Sequence, residues 1–165
     1  MEKLESLLEH TLAVFEHKKG ILKAFFSMYK EEQKHRKAHY SDSENFAQDL
    51  FEQKRQQDEI FLKALERNCR QLEKKFSEEK VWQIVEWLKE EGLLEHEKEE
   101  DISNFLCRQP QKGENFVAQQ IARDIEKEFL FKQAQLDLKK YEQVHSAVLK
   151  IKNMYEKSVE QSQKN

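Results

Sequence analysis

Two Glu-x-x-His pairs, Glu32 with His35 and Glu142 with His145, are the strongest candidates for reactive chemistry in this chain. On a helix, positions three apart share a face. Carboxylate-bridged metal proteins of the ferritin-like type take one such pair from each of two helices and add further glutamates. The chain holds 26 Glu and 6 His, however, so about one pair of this kind arises by chance. His145 falls near an apolar seam, whereas Glu32 and His35 follow the end of one. The carboxylate-metal protein therefore ranks as a second alternative, and neither a metal nor a cofactor is expected.

The other reactive side chains are similarly isolated. His35 and His39 stand four apart and can share one cation, but zinc needs three or four protein ligands and no Cys/His cluster supplies the rest. Cys69 has Arg67 and Arg70 close in sequence, a setting that can lower a thiol pKa, yet no partner histidine is identifiable. A partly buried helix cysteine is the expectation. Cys69 and Cys107 form no CxxC and no disulfide framework, which fits reduced thiols inside a cell. Three glycines cannot build a P-loop or a GxGxxG turn, and GxSxG is absent. A non-enzymatic protein follows.

Charge and aromatic residues point instead to binding. The net charge is −3, but His17 to Tyr40 carries seven Lys/Arg against two Glu, and Ser77 to Asp101 carries three Lys against ten Asp/Glu. Lys18, Lys19, Lys23, Lys34, Arg36 and Lys37 form a candidate basic surface. It has little of the aromatic or glycine interleaving with which nucleic acid is read, so no nucleic-acid partner is expected. Acidic lipid is the other candidate ligand, and a membrane-associated helical dimer of BAR-like layout is the first alternative function. A solvated helix end facing the acidic segment is the preferred account. Trp82 and Trp87 lie five apart and so point in different directions: at least one covers the bundle, and the other either anchors a partner or is a core residue too. With Phe105 and Leu106 they make up the candidate partner-binding residues.

The elements that position these residues are legible from the helix breakers. Pro110 and three glycines are the only ones in 165 residues, and Gly92, Pro110 and Gly113 cluster between positions 92 and 113. Hydrophobic residues make up 38% and charged residues 37%, which favours long helices burying narrow stripes over a compact layered domain. The expected fold is all-α, an elongated antiparallel bundle or coiled coil of three long helices with a short helical segment between the second and third. Leu4, Leu8, Thr11, Phe15, Lys18, Leu22, Phe25 and Tyr29 keep heptad spacing, with Leu7, Val14, Ile21 and Met28 as a second row. They predict a first helix over 2–40, in which Gly20 marks a kink or a close helix crossing.

Ser41 and Glu44 form a capping box for a second helix over 43–91, paired as a hairpin with the first. Ser77 either caps a new helix there or lies within a continuing one. The polar turns Glu52 to Glu59 either project beyond the bundle, the preferred account, or contact a partner. Residues 92–113 form an irregular region with a short helix, and a long final helix covers 114–160. All 165 residues are read as one helical domain. Glutamates stand where a secretory leader would be basic, and no run approaches about 18 apolar residues, so a soluble cytoplasmic protein is expected. The function expected is that of an adaptor, assembly factor or secretion-chaperone-like subunit binding another protein, with a homodimer possible because the last helix is so long.

Overall fold

A computed structural model describes residues 2–34, 48–95 and 116–164. Among these residues the chain is all-α, with four helices and no strand. Helix α1 is Glu2–Lys34, α2 is Gln48–Lys74, α3 is Glu78–Glu90 and α4 is Phe116–Lys164. The 49 residues of α4 give a rod of about 73 Å, which sets the length of the bundle.

The heptad stripe of α1 is the seam that packs. Leu4, Leu8, Thr11, Phe15, Lys18, Leu22 and Phe25 are all buried, and Tyr29 is half-buried. The two polar members have specific accommodation. Thr11 donates its hydroxyl to the Leu7 carbonyl at 2.7 Å, and the Lys18 ammonium lies 5.1 Å from the centre of the Tyr141 ring. Of the second row, Val14 and Ile21 are buried, but Met28 faces solvent. Gly20 is exposed, and a methyl group added there would meet nothing within 4 Å. Among the described residues no helix crosses at Gly20, and α1 runs through it without a break.

Helix α4 is the spine. Both α1 and α2 make their principal contacts with it rather than with each other, so the first two helices do not form a closely packed hairpin. Along α1, Glu32 meets Lys127, Tyr29 stacks on Phe131 at 4.2 Å, Phe15 meets Tyr141 and Glu9 meets Lys152; α1 is therefore antiparallel to α4. Along α2, Phe51 meets Phe129, Lys54 meets Asp137, and Phe76 meets Tyr155, so α2 is parallel to α4. The polar turns of α2 consequently do not project. Lys54 and Asp58 bind them to α4 through Asp137 and Lys140, which offsets the lack of apolar residues there.

The second helical stretch is broken at residues 75–77. Ser77 has extended backbone (φ −143°, ψ 121°), and its hydroxyl accepts the Lys80 amide at 3.3 Å, so it caps α3. At the other end Gly92 takes φ 74°, and its amide donates to the Lys89 carbonyl while Leu93 donates to that of Leu88. This pair of bonds is a Schellman closure, and it folds Leu93 back onto the core beside Leu88. Helix α3 lies against α1 and α2 near the end that holds Phe76 and Tyr155, and Trp87 reaches Phe61 at 4.6 Å. One continuous core unites all four helices, and Phe15, Leu8, Leu65, Leu72 and Leu88 are among its fully enclosed side chains. Each such side chain contributes roughly 1.5–3 kcal/mol by leaving water.

Candidate functional site

Helix α3 positions the two tryptophans. Val81, Ile84, Val85 and Leu88 form its buried stripe, and Trp82 and Trp87 project on opposite flanks of that stripe. Trp87 packs against Phe61 and belongs to the core boundary. Trp82 is 43% exposed. It is bordered by exposed Glu79 one turn before it and Glu86 one turn after it, with Glu90 and Lys89 continuing the outer face. Among the described residues these four charged side chains make no ion pair. Trp82 is thus the exposed tryptophan of the two, and Trp87 the packed one. Phe105 and Leu106 lie outside the described residues.

A groove of about 730 Å³ runs along the α2–α4 seam. Leu62, Leu65, Cys69, Leu136 and Ala147 supply its apolar surface. Its charges are unevenly satisfied. On α2, Arg55 pairs with Glu52, Glu59 with Lys63, and Glu66 with Arg70, all within the helix. Asp58, only 9% exposed, lies 3.3 Å from Lys140 and 3.9 Å from Lys54, which also reaches Asp137 at 2.8 Å. Lys140 additionally lies 4.8 Å from the Phe61 ring centre. On the α4 wall, Lys139, Glu142 and Lys150 form no ion pair among the described residues. The groove was missed in the sequence because α2 and α4 are far apart in the chain and its charged lining reads as two ordinary solvated faces.

Cys69 is buried against this groove, and burial pushes its thiol pKa up; Lys150 opposes the shift, and Glu73 and Glu66 add to it. The arginines that suggested activation act otherwise: Arg70 is held by Glu66, and Arg67 faces solvent. The Glu-x-x-His residues are used separately. Glu32 accepts a hydrogen bond from Lys127 at 2.8 Å, whereas His35 and His39 lie outside the described residues. Glu142 lines the groove on α4, but His145 points to α1, with Nε2 3.4 Å from Glu16. Burial and the neighbouring Lys19 hold the His145 pKa down, against the pull of Glu16. Among the described residues no three His, Cys, Asp or Glu side chains group as metal ligands.

The basic surface is dispersed as well. Lys18 is 3% exposed and belongs to the core, because it occupies a heptad position of α1; it is not a surface cation. Lys19 is half-buried, Lys23 is exposed, and Lys34 is exposed but 3.6 Å from Glu31. Arg36 and Lys37 lie outside the described residues. No helix among the described residues is long and apolar enough to cross a membrane. No family model matches the chain, and no curated protein or solved structure matches it either.

Proposed function

We propose that this chain is a non-enzymatic helical protein–protein interaction module, an adaptor, assembly factor or secretion-chaperone-like subunit acting in the cytoplasm. One observation carries the reading: Trp82 stands in solvent on a helix whose opposite side is buried, and glutamates border it. A large aromatic rimmed by charge is the usual anatomy of a binding hot spot, since the ring supplies contact area and the rim supplies orientation. The titratable groups support a binding role over a catalytic one. Asp58, Glu32 and Lys127 are engaged in holding helices together, and burial pushes the Cys69 thiol pKa up.

The test is a comparison of folded baits. Wild-type protein and Trp82→Ala are immobilised in equal amounts and exposed to lysate of the source organism, and captured proteins are quantified by mass spectrometry. A protein retained by wild type and lost at least tenfold on Trp82→Ala supports the reading. Identical capture by the two baits, with unchanged circular dichroism, refutes it.

A further inference from the structure

The Trp82 face of α3 and the α2–α4 groove have matching charge spacings, and we propose that the α3 face of one copy docks in the groove of a second copy of this chain. The proposal rests on the reading of Trp82 as a binding surface and names its partner. Lys139 and Lys150 stand eleven residues apart on α4, three helical turns or about 16 Å, and so project from the same side of the helix. Glu79 and Glu90 are also eleven residues apart on α3, with the same separation of about 16 Å. All four side chains are exposed, and none has an ion-pair partner among the described residues.

Laying α3 antiparallel to α4 aligns Glu90 with Lys139 and Glu79 with Lys150. Trp82 then falls over the stretch of the groove surfaced by Leu65, Cys69 and Ala147. The same orientation brings Lys89 within about one turn of Glu142, the acid on the α4 wall, while Glu86 falls over Gln143 beside it. The reverse orientation places Lys89 beside Leu149 instead and leaves Glu142 without a cation. The α2 wall adds little net charge, because Arg55, Glu59 and Glu66 are neutralised within α2. The lysines of α4 therefore set the sign of the groove, and an acidic helix face with one central aromatic is its complement. The two surfaces differ, so copies join reciprocally as a pair or head to tail. In both cases the mass rises with concentration.

The experiment is light scattering after size exclusion over a rising concentration series, with circular dichroism as the folding control. Wild type is expected to rise above 20.0 kDa, and Trp82→Ala, Glu79→Lys/Glu90→Lys and Lys139→Glu/Lys150→Glu are each expected to associate at least tenfold more weakly. Mixing the two charge-reversed proteins restores opposite signs at every contact, so the mixture is expected to associate where each alone does not. A wild type that stays at monomer mass throughout, or folded charge-reversed proteins that fail to associate when mixed, overturns the proposal. If the protein is monomeric and Trp82→Ala still loses a lysate partner, the second-copy assignment falls and the interaction-module reading stands. If Trp82→Ala changes neither readout, both fall.

Discussion

Lys127, almost fully buried on α4, donates a hydrogen bond at 2.8 Å to Glu32 in the last turns of α1. The pair closes the end of the α1–α4 seam next to the stacked rings of Tyr29 and Phe131. Removing only the carboxylate strands a cation away from water, whereas removing both charges does not. Glu32→Ala is expected to destabilise the fold by about 3 kcal/mol. Glu32→Leu combined with Lys127→Met is expected to cost clearly less. Urea denaturation of the two variants checks the order; equal losses would show that the charge is reached by solvent.

The two described glycines are expected to respond oppositely to alanine. Gly20 is helical, exposed and clear of neighbours, so Gly20→Ala raises stability by roughly 0.5–1 kcal/mol through helix propensity alone. Gly92 has space around it but a left-handed backbone, so Gly92→Ala lowers stability by about 1 kcal/mol. The urea midpoint reads both, and a midpoint that fell in Gly20→Ala would indicate a contact at that position.

In a Cys107→Ser background, Cys69 is expected to react with a disulfide reagent at pH 8 far more slowly in the folded protein than in urea. Its burial disfavours the thiolate, and the nearby Lys150 does not reverse this. Folded and unfolded rates of similar size would contradict the buried placement.

His145 makes stability depend on pH in a defined direction. Its folded pKa is held below the ordinary value of 6.5, first by burial and then by Lys19, with Glu16 opposing. The unfolded chain therefore binds the proton more readily. The contribution is complete above the ordinary value and is lost as pH falls through the folded one. Denaturation at about pH 7 and pH 5 should show a loss in wild type that shrinks in His145→Gln, where nothing titrates. An unchanged slope would assign the pH dependence to the carboxylates.

The helix faces were legible because burial follows local period. The stripe from Leu4 to Tyr29 was readable down to its two polar members, since a residue at a heptad position is enclosed whatever its type. Lys18 obeys the same rule: its heptad position outweighs its charge, and α1 buries it. Ser77 and Gly92 carry local signatures of a cap and a stop, and both act as such. Partner choice was not legible. That α1 and α2 each pack on α4, and that Lys54 and Asp58 tie a polar stretch of α2 down, depend on residues about 80 to 140 positions away. The groove followed from that pairing, so it was invisible for the same reason. Of the candidate site, the differing directions of the two tryptophans could be read from their spacing, but which of them is exposed required knowing where Phe61 lies.

The spine position of α4 also fixes the order of events during synthesis. On the ribosome α1, α2 and α3 emerge before the helix on which α1 and α2 chiefly pack. Leu8, Phe15 and Leu22 then remain exposed until more than a hundred further residues have been made. Native packing thus awaits the final helix instead of growing from the amino terminus. A nascent chain halted before residue 116 presents a wet apolar stripe to any holding chaperone, and its proteolytic sensitivity should disappear abruptly once α4 has cleared the exit tunnel.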